Sequence, residues 1–287
     1  MSVPDEDPNC RTVTKLLQQK EEIEEKDIFS LWIVSPSLEL RLRPKEFLNR
    51  ATRRWKRWAE KYAHEDSVKF RFMFKRDALV WTEKEALITK ISTLKLLYTE
   101  AKENVISGLY PCEFDDAVYL ASLQLFIDAS KNLGMLKENL GLFIPSVHLK
   151  EKRESVEERI LEKYEELVGI SSDEAIRMYL QVTRKWPIYG SVFFSACKIP
   201  PSQGNFKFRV DHFKIGVNLR GIHIIDLSKS KCIISETFSN IAWLCSADSV
   251  IFEYGSMEDT KEITLITPQA SLIDEICSKA LEKINRL

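Results

Sequence analysis

Residues 215–287, IGVNLRGIHIIDLSKSKCIISETFSNIAWLCSADSVIFEYGSMEDTKEITLITPQASLIDEICSKALEKINRL, decide the fold. Short runs rich in Ile, Val and aromatic residues occupy 222–227, 232–236, 241–245, 250–254 and 263–267. Turn-forming residues part them: Arg220-Gly221, 226–231, Ala247-Asp248 and Gly255-Ser256. Two further runs, 191–199 and 206–219, lie just upstream and are split at Gly204-Asn205. Short strands at this spacing predict an antiparallel sandwich or barrel of seven strands. From about Pro268 the period changes. Leu272, Ile273, Ile276, Ala280, Leu281 and Ile284 recur at helical spacing to the end of the chain.

Seven strands closed by one C-terminal amphipathic helix is the plan of a pleckstrin-homology or phosphotyrosine-binding-like lobe, expected over 187–287. The segment before it, 83–186, has no strand pattern and reads as a bundle of four or five helices. Thr82 and Glu85 form a capping-box signature. The helix expected to follow carries Leu87, Ile91, Leu94, Leu97, Ala101 and Val105 on one face and stops near Gly108 and Pro111. A second follows Cys112, a third spans 153–168, and a fourth, 171–185, starts at Ser172 with Asp173 and Glu174 and ends at Trp186-Pro187.

Residues 1–82 read as a small α/β unit: a helix over 12–25, two strands at 29–34 and 38–42 around Ser35-Pro36-Ser37, a helix over 46–63 and a last strand. In that last strand Val68, Phe70, Phe72 and Phe74 alternate with Lys69, Arg71, Met73 and Lys75, which predicts one apolar face and one solvated face.

The 287 residues carry 42 Lys plus Arg against 43 Asp plus Glu, a net charge of -1, so a protein that binds nucleic acid over its whole surface is excluded. The balance is local, however. Residues 1–27 hold four basic and eight acidic side chains, whereas 41–76 hold 13 basic and four acidic. The longest uncharged stretch, 186–197, is 12 residues, short of the roughly 20 a spanning helix needs. The acidic N-terminus lacks the features of a signal peptide. Six scattered cysteines without a CxxC predict reduced thiols and an intracellular, cytoplasmic protein.

The search for chemistry is negative. There is no GxGxxG, no GxxxxGK[ST], no GxSxG and no HExxH. Asp115-Asp116 sits at a helix start, where acids favour the dipole. Cys245, with His223 as an imagined base, reads as a buried structural thiol. No catalytic residue, metal site or cofactor is expected, and the chain reads as no enzyme.

Four stretches together resemble the FERM family: DIFSLWIVSPSLELRLRP (27–44), LLYTEAKENVISGLYPCEFDDA (96–117), RKWPIYGSVFF (184–194) and IGVNLRGIHIIDLSKSKCIISETFSNIAW (215–243). The resemblance implies an α+β, three-lobed FERM module. Its parts would be a partial β-grasp (ubiquitin-like) lobe at 1–82, a helical lobe at 83–186 and a PH/PTB-like seven-strand sandwich with its C-terminal helix at 187–287. A FERM first lobe ordinarily opens with a β-hairpin. Only residues 1–11 precede the helix here, so that hairpin is expected to be missing.

Two binding surfaces are expected. By resemblance, the fifth strand of the third lobe leaves an edge open to an extended peptide: Asn240, Ile241, Ala242, Trp243, Leu244, Cys245 and Ser246, facing Leu272, Ile276 and Ala280 of the last helix. A proline at Ala242 or Leu244 is expected to weaken capture. The second surface is read from the residues themselves. Arg50, Arg54, Arg57 and Lys61, spaced 4, 3 and 4, form one stripe of a helix, with Arg53 beside it and Trp55, Trp58 and Tyr62 on another face. The stripe is either a solvated face or a surface for anionic lipid headgroups or an acidic partner.

The resemblance implies a membrane-proximal adaptor, peripheral at the plasma membrane, that binds the cytoplasmic tail of a transmembrane protein. An iRhom tail, and through it a sheddase complex, is the first expectation. A Rap-type small GTPase and a Wnt co-receptor tail are further family-level partners. A phosphoinositide-dependent membrane-binding module is the alternative.

Overall fold

The computed structural model describes residues 7–25, 27–63, 69–128, 134–150, 153–167, 169–198, 213–256 and 258–286. Val68, and the 199–212 part of the runs expected at 191–199 and 206–219, lie outside the described residues.

Helix α1 (Cys10–Lys20) starts where the Asn9 side chain accepts from Thr12 N at 3.0 Å. It stops earlier than the apolar spacing predicts. Glu22 turns left-handed (φ 52°), and Ile23 enters the core of the second lobe. Strands β1 (Phe29–Val34) and β2 (Glu39–Arg41) follow, then α2 (Leu48–Ala63) and β3 (Arg71–Arg76). The antiparallel sheet runs β2-β1-β3. On one face, Cys10, Val13, Ala51, Trp55 and Ala59 of the two helices pack on Leu31 and Ile33.

The other face of this sheet is not solvated, which corrects the one-faced reading of the last strand. On it Trp32, Val34 and Met73 join the core of the third lobe, while Phe74, on the same face as Leu31, meets Phe29 at 5.1 Å in the core of the second. Lys75 is buried while Phe72 is 36% exposed. Alternation reports which residues share a face, but the neighbouring lobes decide which face is wet. Lys75 is tolerated because its ammonium donates to Glu39 at 2.8 Å.

The second lobe contains α3 (Thr82–Ala86), α4 (Ile91–Ile106), α5 (Phe114–Asp128), the short α6 (Gly134–Glu138), α7 (Arg153–Glu165) and α8 (Ser172–Thr183). The capping box at Thr82 does not form. Trp81 is the residue before the helix, no side chain caps it, and Glu85 is fully buried. The single helix expected through Leu87 is two, and Leu87 itself is 81% exposed at the break. Ser171, not Ser172, caps α8, accepting from Glu174 N at 3.2 Å.

The third lobe has strands β4 (Val192–Lys198), β5 (Phe213–Asn218), β6 (Gly221–Asp226), β7 (Lys231–Glu236), β8 (Ile241–Cys245), β9 (Ser249–Ser256) and β10 (Asp259–Ile266), closed by α9 (Ala270–Ile284). Their order is β7-β6-β5-β4-β10-β9-β8. Among the described residues, strands β4 and β10 pair at Leu265↔Lys198 and Ile266↔Cys197, which joins the two halves of the sheet. Between them Phe194, Ile215, Val217, Ile224, Phe252 and Leu265 form a core with Ile273 and Cys277 of α9. Each such aliphatic or aromatic side chain contributes about 1.5–3 kcal/mol on burial.

The lobes meet through buried polar groups. Glu85 accepts from Arg76, from Arg184 Nε at 2.7 Å and from the Tyr189 hydroxyl at 2.7 Å. Gly190 (φ 74°) lies so close to the Arg76 guanidinium that a Cβ there would clash with it, and its carbonyl accepts from Arg76 Nη1 at 3.1 Å. Gln269, just before α9, donates from Nε2 to the carbonyls of Ser37 (2.7 Å) and Tyr62 (3.0 Å) in the first lobe.

Candidate functional site

Among the described residues, strand β8 is the last strand of its sheet and pairs only with β9. The register fixes which backbone groups are free. Ser246 N donates to Ser249 O at 2.9 Å, and Ile241↔Tyr254 through Cys245↔Val250 continue the same ladder. In an antiparallel pair the bonded residues alternate. Ala242, Leu244 and Ser246 therefore face β9, while Ile241, Trp243 and Cys245 present N–H and C=O groups outward. A proline at Ala242 or Leu244 would break the internal ladder, so the expectation that those positions probe capture is corrected. Asn240 and Ser246 flank the strand, and Leu244 is 68% exposed.

The helix residues expected to wall this edge do not do so together. Trp243 Nε1 donates to Asp274 Oδ1 at 3.0 Å, which sets the flank of α9 beside β8. Leu272 lies two residues away, about 200° around the helix. Leu272 and Ile276 instead border a cleft against the first lobe, with Trp32, Leu40, Val192 and Phe194. Ala280 is fully buried against Leu79 and Leu219. The residues that flank β8 were missed because the helical period alone does not say which side of α9 faces which strand.

Burial pushes the Cys245 thiol up to about 11, with Asp274 adding to the shift, and also raises Cys277 well above its ordinary value. Both are therefore protonated thiols at neutral pH and poor nucleophiles. His223 is not their partner. It is buried, with Nδ1 2.9 Å from Ser235 Oγ and Nε2 3.4 Å from Asn218 Oδ1. Among the described residues no group of three or more His, Cys, Asp or Glu could hold a metal ion, and no helix is long and apolar enough to cross a membrane.

The basic helix α2 divides. Arg50 and Arg54 border a second part of the interlobe cleft, where Arg41 at the end of β2, itself paired with Asp77, and Arg43 and Lys45 from the following loop join them beside Leu272 and Glu275. Arg54 stands 3.5 Å from Glu46. Arg53 and Arg57 are exposed on α2 outside that cleft, and Lys61 sits over the Tyr62 ring at 4.6 Å. The stripe is thus split, and three residues outside the helix complete the basic cluster. The signal that finds them is the charge of 41–76 taken as a whole.

Comparison with known proteins agrees with this architecture. The family model described as FERM central domain matches residues 83–194, and that described as KRIT1/FRMD8, FERM domain C-lobe, matches 212–276. FERM domain-containing protein B of Dictyostelium discoideum is 33% identical over 223 residues, covering 73% of this chain and 46% of that protein. Human FERM domain-containing protein 8 is 29% identical over 252 residues, covering 76% and 54%. The chain spans about half the length of the curated relatives it matches. Among solved structures, the human myosin 7b MyTH4-FERM domain, determined with the harmonin-a PDZ3 domain, superposes with a TM-score of 0.71 at 17% identity, over 97% of this chain and 56% of that one. The FERM domain of Drosophila Merlin, in complex with its C-terminal domain, gives 0.62 at 17% identity, over 99% and 93%.

Proposed function

This chain belongs to the FERM family, and from that premise we propose that it is a non-enzymatic, membrane-proximal adaptor of the cytoplasm that captures the cytoplasmic tail of a transmembrane protein by strand addition at β8. The observation that carries the reading is the outward row of backbone groups at Ile241, Trp243 and Cys245, beside a helix flank anchored by Trp243 to Asp274. An added strand satisfies those groups with main-chain hydrogen bonds, and pockets beside the helix select its side chains. Relatedness to FERM domain-containing protein 8 supports an iRhom tail, and regulation of a sheddase complex through it, as the first ligand to test. A Wnt co-receptor tail and a Rap-type GTPase are the family-level options after it. Calorimetric titration with an iRhom N-terminal tail peptide tests the reading. Binding weakened about tenfold or more by Cys245→Pro supports it, and binding unaffected by that change sinks it.

A second reading is supported by the cleft. Arg41, Arg43, Lys45, Arg50 and Arg54 surround one concavity with Glu46 and Glu275 as its acidic members. Such a cluster attracts an anionic headgroup, and phosphoinositide binding at the plasma membrane would act alongside tail capture.

A further inference from the structure

The β8-β9-β10 half of the third-lobe sheet has one face in solvent, and that face carries charge of one sign. The inner rows, Trp243↔Phe252↔Ile263 and Cys245↔Val250↔Leu265, lie in or against the core. Alternation turns the rows between them outward: Ala242↔Glu253↔Glu262 and Leu244↔Ile251↔Thr264. Glu253 and Glu262 are both exposed, and among the described residues no lysine or arginine stands on the outer face of these three strands. Lys261 alternates to the other side and pairs with Asp259 at 3.1 Å. The ladder also brings the two glutamates close. Bonded pairs alternate from Ser246 and Ser249, so Glu253 directs its backbone groups to Ala242 of β8. Glu253↔Glu262 is then a pair without mutual backbone bonds, the kind whose side chains approach most closely. Like charges directly opposite each other are unfavourable, and a cation placed beside them would relieve the repulsion.

Strand β8 is the open edge of this half-sheet, so a strand added there extends the same outer face. The incoming strand bonds to the outward groups of Ile241, Trp243 and Cys245. Ala242 and Leu244 then stand opposite its unbonded positions, where facing side chains are nearest. Ala242 is a bare methyl, so a long side chain opposite it can lie flat across β8 towards Glu253. Two strand spacings, about 10 Å, separate the incoming backbone from β9, and a lysine or arginine reaching inward covers most of that distance. Leu244, 68% exposed, offers an apolar contact two residues along. The position between points to the helix side of β8, where Asp274 adds a further negative charge beside Trp243.

We propose that the tail segment taken by β8 is basic and carries the pattern apolar-x-basic, an aliphatic or aromatic residue opposite Leu244 and a lysine or arginine opposite Ala242 that reaches Glu253 and Glu262. Antiparallel addition, the more stable pairing per residue, fixes that order. The two glutamates thus select the charge of the ligand, and an acidic tail is repelled. The inference rests on strand capture at β8 and adds what that site selects.

The probe is a blocked, fluorescently labelled peptide, Thr-Val-Thr-Val-Thr-Lys-Thr-Val, with a copy in which glutamate replaces the lysine. Anisotropy on the full chain at low salt should show the lysine peptide binding at least about fivefold tighter. Glu253→Lys with Glu262→Lys, at two exposed positions, should reverse the preference, and Leu244→Ser should weaken both peptides. Cys245→Pro separates the inference from the reading beneath it. Equal binding of the two peptides, each weakened by Cys245→Pro, would leave strand capture standing and overturn the charge selection. Binding of the lysine peptide that Cys245→Pro does not weaken would sink both. An unchanged preference in the double variant, or no binding of either peptide, would also overturn the proposal.

Discussion

Arg184 and Glu85, 99 residues apart in the sequence, stand 2.7 Å apart, with the guanidinium Nε donating to a carboxylate that is wholly buried. Arg76 from the first lobe and Tyr189 from the start of the third reach the same carboxylate. Burial by itself would push the Glu85 carboxyl up, but the two guanidinium groups outweigh it and hold the group below its ordinary value. Removing it with Glu85→Ala would leave a buried guanidinium without a counter-charge, at a cost of about 3–5 kcal/mol in chemical denaturation. Glu83→Ala, at an exposed neighbour, should stay within about 0.5 kcal/mol. Because the folded-state value is depressed, the stabilisation is complete above the ordinary carboxylate range and fades as pH falls through the folded value.

His223 sets a separate acid limb. Burial, and then the nearby Arg220, lower it from 6.5 to about 4. The unfolded chain therefore takes up a proton that the folded chain refuses, and stability falls as pH drops from about 6.5 towards 4. The loss amounts to about 3 kcal/mol. In urea titrations across that window, His223→Gln should have a flatter slope than the parent protein. An equal slope would place the acid sensitivity elsewhere.

Proline substitutions along β8 should separate into two classes. Cys245→Pro removes an outward N–H, so it should reduce tail affinity by about tenfold or more while the far-ultraviolet circular dichroism is kept. Ala242→Pro and Leu244→Pro remove N–H groups bonded to β9 and should lower the melting temperature directly.

For the cleft, vesicle co-sedimentation with and without anionic lipid is the measurement. Each basic residue near an anionic surface contributes about 1 kcal/mol. Arg50→Glu with Arg54→Glu should therefore lower partitioning more than tenfold. Arg53→Glu with Arg57→Glu, on α2 outside the cleft, should have a smaller effect. Equal losses would assign binding to the whole helix and not to the cleft.

The third lobe was the most legible part of the chain, because turn residues such as Gly221 and Gly255 mark strand ends and the final helix has its own period. Edge strand β8 could also be read, since only its neighbours in the sheet had to be supplied. Glu85 could not. Its spacing from Thr82 imitates a cap, and its true partners lie at Arg76, Arg184 and Tyr189, which no local pattern links. Lys75 defeated the alternation rule for the same reason: a lobe packed from elsewhere in the chain covers its face. The basic stripe was visible, but its division between cleft and outer surface depends on where α9 lies.

The third-lobe core includes Trp32, Val34 and Ala78, which belong to the first lobe, and Gln269 holds two first-lobe carbonyls. Dissecting the chain into individually expressed pieces would thus expose apolar surface and orphan the Gln269 amide on one fragment and two carbonyls on another. Isolated lobes should be sticky and poorly soluble, and a negative binding result from such a fragment would say little about the intact module.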